Sequence, residues 1–480
     1  MTRVGRQGGA ESASAQSSQP PPEQLDVAPG AVADAMVGGS RLLALRASQY
    51  FFLFVASLVI ARALGPELRA QYALPLALSG AVWTLTHLSL DSAALRALGR
   101  REASLIEVTK VLSASILVLG CLGAAMALAI GSIWQGPLLA GASASAILLG
   151  ALMVPVSLAQ QLTSTLLARV GALRAFGWAS AISAALVLVL DLILIATSTV
   201  TPATAIGAIV AGGLVLDLAL LVALSKHTGA RGVLPGGSLR VVRLMVRAGL
   251  ALHPAAIALF LIRRIDIFLV SLLASNRAVG LYSLAATLAE IMLLAAWTLV
   301  HAASKTQTDA EPDAAARYTS EFLRQSWILV AAAAGVLAAV SYPAITVLYG
   351  REWAGSVVPF VILCFGSVAF AIEKPARALL ARVARPSIVV VPAVVGAAVN
   401  VVLNLALIPT FGITGAAVAS LIAYWLYALL ILRRFGQATG LPMSSVFRRP
   451  TREDSAVQLM ATAMTYLKTL RYRGTGRRGG

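Results

Sequence analysis

Charge is what this sequence has least of. Only 12% of its 480 residues are Asp, Glu, Lys or Arg, about half the share usual in a soluble globular protein. A soluble chain of this length needs a charged shell around its cores, so the shortage excludes that class. Acids are the scarcer sign, 20 against 38 basic residues, for a net charge of +18. There are two cysteines, Cys121 and Cys364, each inside an apolar run, and four histidines. No disulfide scaffold follows from that cysteine usage. No set of histidines and acids has metal-ligand spacing, so neither a metal nor another cofactor is expected. Residues 1–40 lack the roughly 7–15-residue apolar core and cleavage site of a secretory signal. Rich in Ser, Gln, Pro, Gly and Ala, they read as a disordered tail.

What the chain has in abundance is apolar sequence. Apolar residues make up 59% of it and the mean hydropathy is +0.84. They fall in runs long enough to cross a bilayer, for which about 20 residues suffice. Twelve membrane helices are predicted, at residues 43–64, 70–91, 110–132, 138–166, 175–198, 203–225, 246–274, 279–303, 325–349, 355–372, 387–409 and 413–432. The fold class is therefore an all-α membrane protein. Pro137 and Pro155 blur the limits of helix 4. Eighteen Lys and Arg lie in or beside the even-to-odd connections (2–3, 4–5 and so on), against four in the alternate set. By the positive-inside rule both termini are cytoplasmic, and the unbroken alternation supports an even number of spans. The basic balance thus reads as membrane orientation and not as a nucleic-acid partner. Beyond helix 12 a basic tail with Arg433, Arg434, Arg448 and Arg449 lies on the same side, within reach of anionic lipid. Residues 454–470 suit either one short interfacial helix or a disordered tail.

The chain also repeats itself. LGPELRAQYALPLA from Leu64 and ASNRAVGLYSLAAT from Ala274 are offset by 210 residues, aligning Tyr72 with Tyr282 and Leu74 with Leu284. Each joins the first two helices of a six-helix half. Two lobes of like topology are expected, residues 41–230 and 231–435, flanked by tails at 1–40 and 436–480. That plan is common among transporters with a site near the midplane.

LGPELRAQYAL and RRIDIFLVSLLASNRAVGLYSLA resemble the helix 1–2 and helix 7–8 hairpins of bacterial polysaccharide flippases, part of the multidrug/oligosaccharidyl-lipid/polysaccharide superfamily. NVVLNLALIPTFGITGAAVASLIAYW from Asn400 is similar to that family's helix 11–12 hairpin, and VLYGREWAGSVVP from Val347 to its loop between helices 9 and 10. The resemblance spans about residues 41–435. It departs at Ala70, where the family usually has the glycine supplied here by Gly280 in the second copy. It implies a V-shaped bundle in the bacterial inner membrane. Such a bundle would alternate between inward and outward openings and move an undecaprenyl-diphosphate-linked oligosaccharide outward for cell-surface polysaccharide assembly. Membrane lipids, and other membrane proteins of polysaccharide assembly, are the partners it implies.

Ionisable residues at mid-bilayer need a partner, a wet cavity or a functional reason. The densest set is Arg263, Arg264 and Asp266 on helix 7, with Glu290 level with them on helix 8. Arg263 and Asp266 are three apart and share a face, so they are expected to pair. Arg264 points about 100° away, with no acid on its own helix. Two readings compete: a buried ion network tying helices together, and a cationic patch for a diphosphate, whose geometry suits the arginine fork. On the second reading Arg264 is the better substrate contact and Arg263 the more structural. Asp191 on helix 5, Asp217 on helix 6 and Glu290 are candidates for ion coupling, or are satisfied interhelical contacts. His87 and Asp91 are four apart and placed to pair. His301 lies toward the same end of helix 8. Asn400 and Asn404 share a packing face. Arg41 and Arg46 are placed to snorkel to headgroups. His253-Pro254 should kink helix 7.

Two other classes are weighed. A membrane enzyme needs acids or a large loop on the outer side, and Glu67 and Glu352 are the only acids there. No nucleophile-base constellation appears, so an enzyme is not expected. A drug or cation antiporter of the same superfamily commonly relies on an acid in its first helix. Residues 43–64 contain none. Lipid II flippases usually have fourteen helices, and this chain has room for twelve.

Overall fold

The computed structural model describes residues 31–290, 292, 311–383 and 386–447, and the described elements are helical. The expectations for His301, Arg448, Arg449, residues 1–30 and the 454–470 segment fall outside that set. So do the side chains of Arg41 and Arg46.

Among the described residues, eight continuous helices are long and apolar enough to cross a membrane. Two of these hold two spans each. Ala31–Thr86 contains helices 1 and 2, divided at Gly65 (φ 68°), and Ser387–Thr439 contains helices 11 and 12, divided at Gly412 (φ 55°). Glycine has no Cβ to oppose a positive φ, so the chain reverses there without a loop. Helix 7 (His253–Leu273) and helix 8 (276–290 in its described part) complete the twelve. Helix 7 stands outside the eight because three charges, Arg263, Arg264 and Asp266, interrupt it. The remaining spans are Leu105–Ile133, Ala144–Arg169, Leu173–Ala196, Pro202–Thr228, Pro312–Leu348 and Val357–Val383, helices 3 to 6, 9 and 10. The protein is a multi-pass α-helical membrane protein of two six-helix halves.

Local chemistry sets several ends. Ser104 and Glu107 form a reciprocal capping box at helix 3, and Thr201 and Thr204 do the same at helix 6. Several boundaries differ from the sequence reading; helix 9, for one, begins at Pro312 and not at 325. Helical structure starts at Ala31, inside the stretch read as a tail, since AVADAMV is rich in helix formers. Pro137 belongs to a separate short helix, Gln135–Leu139, whereas Pro155 lies within helix 4 without ending it. Helix 7 is not kinked at His253-Pro254 but begins there. Proline fits a first turn, whose N–H groups lack partners anyway. The preceding residues form their own amphipathic helix, Leu239–Leu250. Helix 10 runs on to Val383, past the limit of 372.

Small residues let the helices approach closely, as membrane packing favours. A Cβ on Gly120 would fall 2.8 Å from Pro155 Cβ, and one on Gly123 would fall 2.6 Å from Val154 Cγ1. One on Gly150 would meet Pro75 Cβ at 2.9 Å and its carbonyl oxygen at 3.2 Å. Ser79 Oγ also donates to the Gly150 carbonyl, tying helix 2 to helix 4. Gly150→Val should destabilise the protein by about 1–3 kcal/mol, the usual range for overpacking. A lower melting temperature in detergent would register it, and an unchanged one would refute the close contact.

The two halves meet where the 1–2 and 7–8 turns lie, here termed the hairpin end. Gly280 there sits directly against the Pro66 backbone: a Cβ on it would be built into the Pro66 carbonyl. Arg69 Nε donates to Ser283 Oγ at 3.3 Å, and its guanidinium lies 5.9 Å from the Tyr72 ring centroid and 5.8 Å from that of Trp353. Asn276 Nδ2 reaches the Ala140 carbonyl at 3.5 Å. At the opposite, basic end, His253 Nε2 lies 3.0 Å from the Leu85 carbonyl oxygen and 3.5 Å separates its Nδ1 from Ser89 Oγ.

Candidate functional site

Four helices of the second half build a pocket at mid-span. Its lining is Arg263 and Asp266 from helix 7, Ala286, Ala289 and Glu290 from helix 8, Leu363 and Ser367 from helix 10, and Tyr424 from helix 12. All four charges singled out from the sequence gather at this level. The expectation that Glu290 sits level with the arginine pair is met, since Arg264 Nη2 lies 2.5 Å from Glu290 Oε1.

The pairing differs from expectation. Asp266 does not bind Arg263. It accepts from the Tyr282 hydroxyl, from Ser420 Oγ at 2.9 Å and from the Ile267 amide at 2.8 Å. It is 3% exposed, so these donors stand in for water. Helix 8 and helix 12 each supply a hydroxyl, and helix 7 is thereby clamped between them. Arg264 is the ion-paired arginine: its own helix offers it no acid, as read, and Glu290 supplies one. Its partner is on the next helix, which spacing along one helix does not reveal.

Arg263 is the exposed member. Its Nε donates to the Leu259 carbonyl at 3.3 Å, one turn back on its own helix. Among the described residues its two terminal nitrogens have no ion-pair or hydrogen-bond partner, and the side chain lines the pocket. The backbone beneath it is pinned from helix 11. Asn400 Nδ2 donates to the Ile262 carbonyl at 2.9 Å, and Asn404 Nδ2 donates to the Asn400 carbonyl at 2.9 Å. The shared packing face of Asn400 and Asn404 is therefore realised, with both side chains fully buried. An arginine anchored at Nε with its fork end exposed is arranged for a bidentate anion.

The other candidates lie apart. Asp191 and Asp217 are buried in the first half, and each has one carboxylate oxygen without a hydrogen-bond partner. Ser183 Oγ donates to Gly212 O at 2.7 Å and sets the register of helices 5 and 6. Counting from that contact, the two aspartates are separated by roughly 20 Å along the axis. They do not share a site. His87 does not pair with Asp91, because the helix breaks between them at Leu88 and Ser89, both with positive φ. The His87 ring packs on Trp83 and His253, and Asp91 accepts from Gln161 Nε2 at 3.0 Å. No group of three His, Cys, Asp or Glu among the described residues could hold a metal ion.

One cluster escaped the sequence reading. Glu373, Lys374 and Arg377 fall just beyond the limit of 372 read for helix 10, in the connection to helix 11. They lie instead on the extension of helix 10. Glu373 is 1% exposed, accepts from the Tyr427 hydroxyl at 2.8 Å and is ion-paired with Arg377. The available signal was the i, i+4 spacing of Glu373 and Arg377, a helical pairing.

Comparison with known proteins agrees with this architecture. Residues 59–358 match the family model described as polysaccharide biosynthesis protein. Among curated proteins none matches the sequence. Solved structures do. An inward-facing multidrug resistance MATE family transporter of the MOP superfamily superposes with a TM-score of 0.64 at 14% identity, covering 83% of this chain and 96% of that one. A MOP superfamily transporter from Pyrococcus furiosus gives 0.63 at 14% identity, with 86% and 96% covered. The lipid II flippase MurJ, in an inward closed conformation, gives 0.60 at 13% identity, with 89% and 97% covered.

Proposed function

The chain belongs to the polysaccharide biosynthesis protein family and has the MOP superfamily fold, and from that premise we propose that it flips a lipid-linked oligosaccharide, carried on undecaprenyl diphosphate, across the bacterial inner membrane. The basic end is cytoplasmic in this reading, as are both termini, and the hairpin end faces outward. The two halves act as lobes, divided near residue 230, that rock to open one end at a time. The structurally similar MurJ is a lipid II flippase, which makes a lipid-diphosphate cargo a natural one for this fold. The superfamily's multidrug transporters share the fold too, but the family match and the absence of an acid from residues 43–64 of helix 1 favour the polysaccharide reading.

The observation that carries the proposal is Arg263. An arginine in the middle of a membrane span, lining a pocket with its fork unoccupied among the described residues, lacks an evident structural reason. A diphosphate supplies a direct partner, since the carboxylate in the same pocket, Glu290, is already paired with Arg264. Arg264 and Glu290, paired to each other, frame the site, and Asp266 holds helix 7 in place. Any ion coupling falls to Glu290, the one candidate carboxylate lining this pocket.

The test is transfer of an undecaprenyl-diphosphate-linked fluorescent oligosaccharide across reconstituted vesicles. Arg263→Gln should slow transfer about tenfold or more, the scale of one lost charge-assisted hydrogen bond, with an unchanged melting temperature. Wild-type rates from Arg263→Gln would refute the assignment.

A further inference from the structure

Arg377 on helix 10 repeats the arrangement of Arg263. Its Nε is held by Glu373, which is itself buried and fixed by the Tyr427 hydroxyl. The side chain is 36% exposed, and its terminal nitrogens have no partner among the described residues. The chain of contacts from helix 12 through Glu373 therefore aims the fork of Arg377 and leaves its end open. Lys374 lies three residues earlier on the same helical face. Arg377 is ten residues beyond Ser367 of the mid-span pocket, or roughly 15 Å toward the basic end. Arg377 thus lies nearer the basic end than the pocket does, one step ahead of Arg263 for a substrate entering from that end. Asp91 of the first half lies at the same basic end, two residues beyond the Ser89 that meets His253, and makes no ion pair with Arg377. Asp91 is itself oriented by Gln161.

We propose that Arg377, with Lys374 beside it, forms a first anion-binding step at the cytoplasmic mouth. It receives the diphosphate group of the lipid-linked substrate before Arg263 does, and Asp91 is the opposing charge the diphosphate must outcompete. The proposal rests on the flippase reading and adds a second station to it. Glu373 and Tyr427 are positioning residues here. Their contacts remove the orientational freedom of a long side chain, so less entropy is lost when the anion binds. Asp91 lowers the affinity of the empty step by repelling a diphosphate from the first half. That keeps the substrate from being trapped at the mouth.

The experiment is equilibrium binding of radiolabelled undecaprenyl diphosphate to the full-length protein in nanodiscs. Arg377→Gln should weaken binding about tenfold, and Arg377→Lys should recover part of the loss. Asp91→Asn should strengthen binding several-fold, a change of opposite sign that a purely structural network would not produce. Should Arg377→Gln fail to fold, Arg377→Lys and Asp91→Asn decide alone: unchanged or weaker binding in Asp91→Asn overturns the step. If wild type binds and Arg263→Gln weakens binding while Arg377→Gln leaves it intact, the helix 10 step is wrong and the flippase reading stands. If wild type fails to bind the probe, the flippase reading falls and takes this step with it. A parallel series adds phosphatidylglycerol. Binding that survives its excess supports the lipid-diphosphate. Loss of the Arg377-dependent part assigns the site to phospholipid headgroups and overturns the proposal.

Discussion

Asp266→Ala is expected to destabilise the protein by about 3–5 kcal/mol, the range for removing one member of a buried charged network. The carboxylate is the common acceptor for Tyr282 of helix 8, Ser420 of helix 12 and the Ile267 amide of helix 7. Without it two hydroxyls and an amide are left in an apolar interior, and each unsatisfied buried donor costs about 1–3 kcal/mol. Arg264 also loses a nearby negative charge and is left with Glu290 alone. A fall in the yield of folded protein and in melting temperature would register this. Asp266→Asn, which keeps one acceptor oxygen, should recover part of the loss. If Asp266→Ala melted like wild type, the clamp between helices 7, 8 and 12 would not exist.

Gly280→Ala is expected to shift the conformational equilibrium and leave the folded state largely intact. A methyl at Gly280 overlaps the Pro66 backbone, which has no flexible side chain to yield. The halves must separate there, at about 1–3 kcal/mol for an overpacked contact. Because the overlap arises only when the hairpin end is closed, that energy tilts the balance toward an open hairpin end by roughly 5–150-fold. Arg69 adds to the tilt. It is 2% exposed, held by one hydroxyl and two rings, with Nη1 unsatisfied, so opening returns it to water. Thr287 lies one turn behind Ser283 on the same face of helix 8. In a Thr287→Cys background, Gly280→Ala should raise labelling by an impermeant thiol reagent applied from the hairpin side. No increase would show that the Pro66–Gly280 contact does not govern closure.

The same glycine explains the departure at Ala70. The two positions align in the repeat, yet only Gly280 faces a carbonyl of the other half. Ala70 is fully buried in an apolar cluster, where a methyl group is welcome. The repeat keeps the topology of the two hairpins, while their contact with each other is asymmetric.

Most of the architecture was legible before any coordinates. Twelve spans followed from the apolar runs, because bilayer thickness sets a length that composition reveals directly. The level agreement of Glu290 with the arginine pair followed from the short turn at Ser275-Asn276 and the rise per residue. Two local readings failed for one reason. Pro254 and the His87–Asp91 spacing were read with rules for a continuous helix. The chain placed Pro254 in a first turn and broke the backbone at Leu88-Ser89.

The sequence by itself determined that this is a two-fold repeated helical membrane protein, with its basic residues biased to one side and its densest intramembrane charges on helices 7 and 8. Hydropathy, loop charge and repeat offset are properties of the chain taken in order, and those conclusions need nothing more. Only the tertiary structure decided which arginine is occupied. Arg263 and Arg264 are adjacent and chemically identical. They differ because Glu290 approaches one of them from a neighbouring helix, while Tyr282 and Ser420 claim the carboxylate expected for the other. Partner choice across helices depends on rotation about the helix axes and on packing, which spacing along a single helix does not encode.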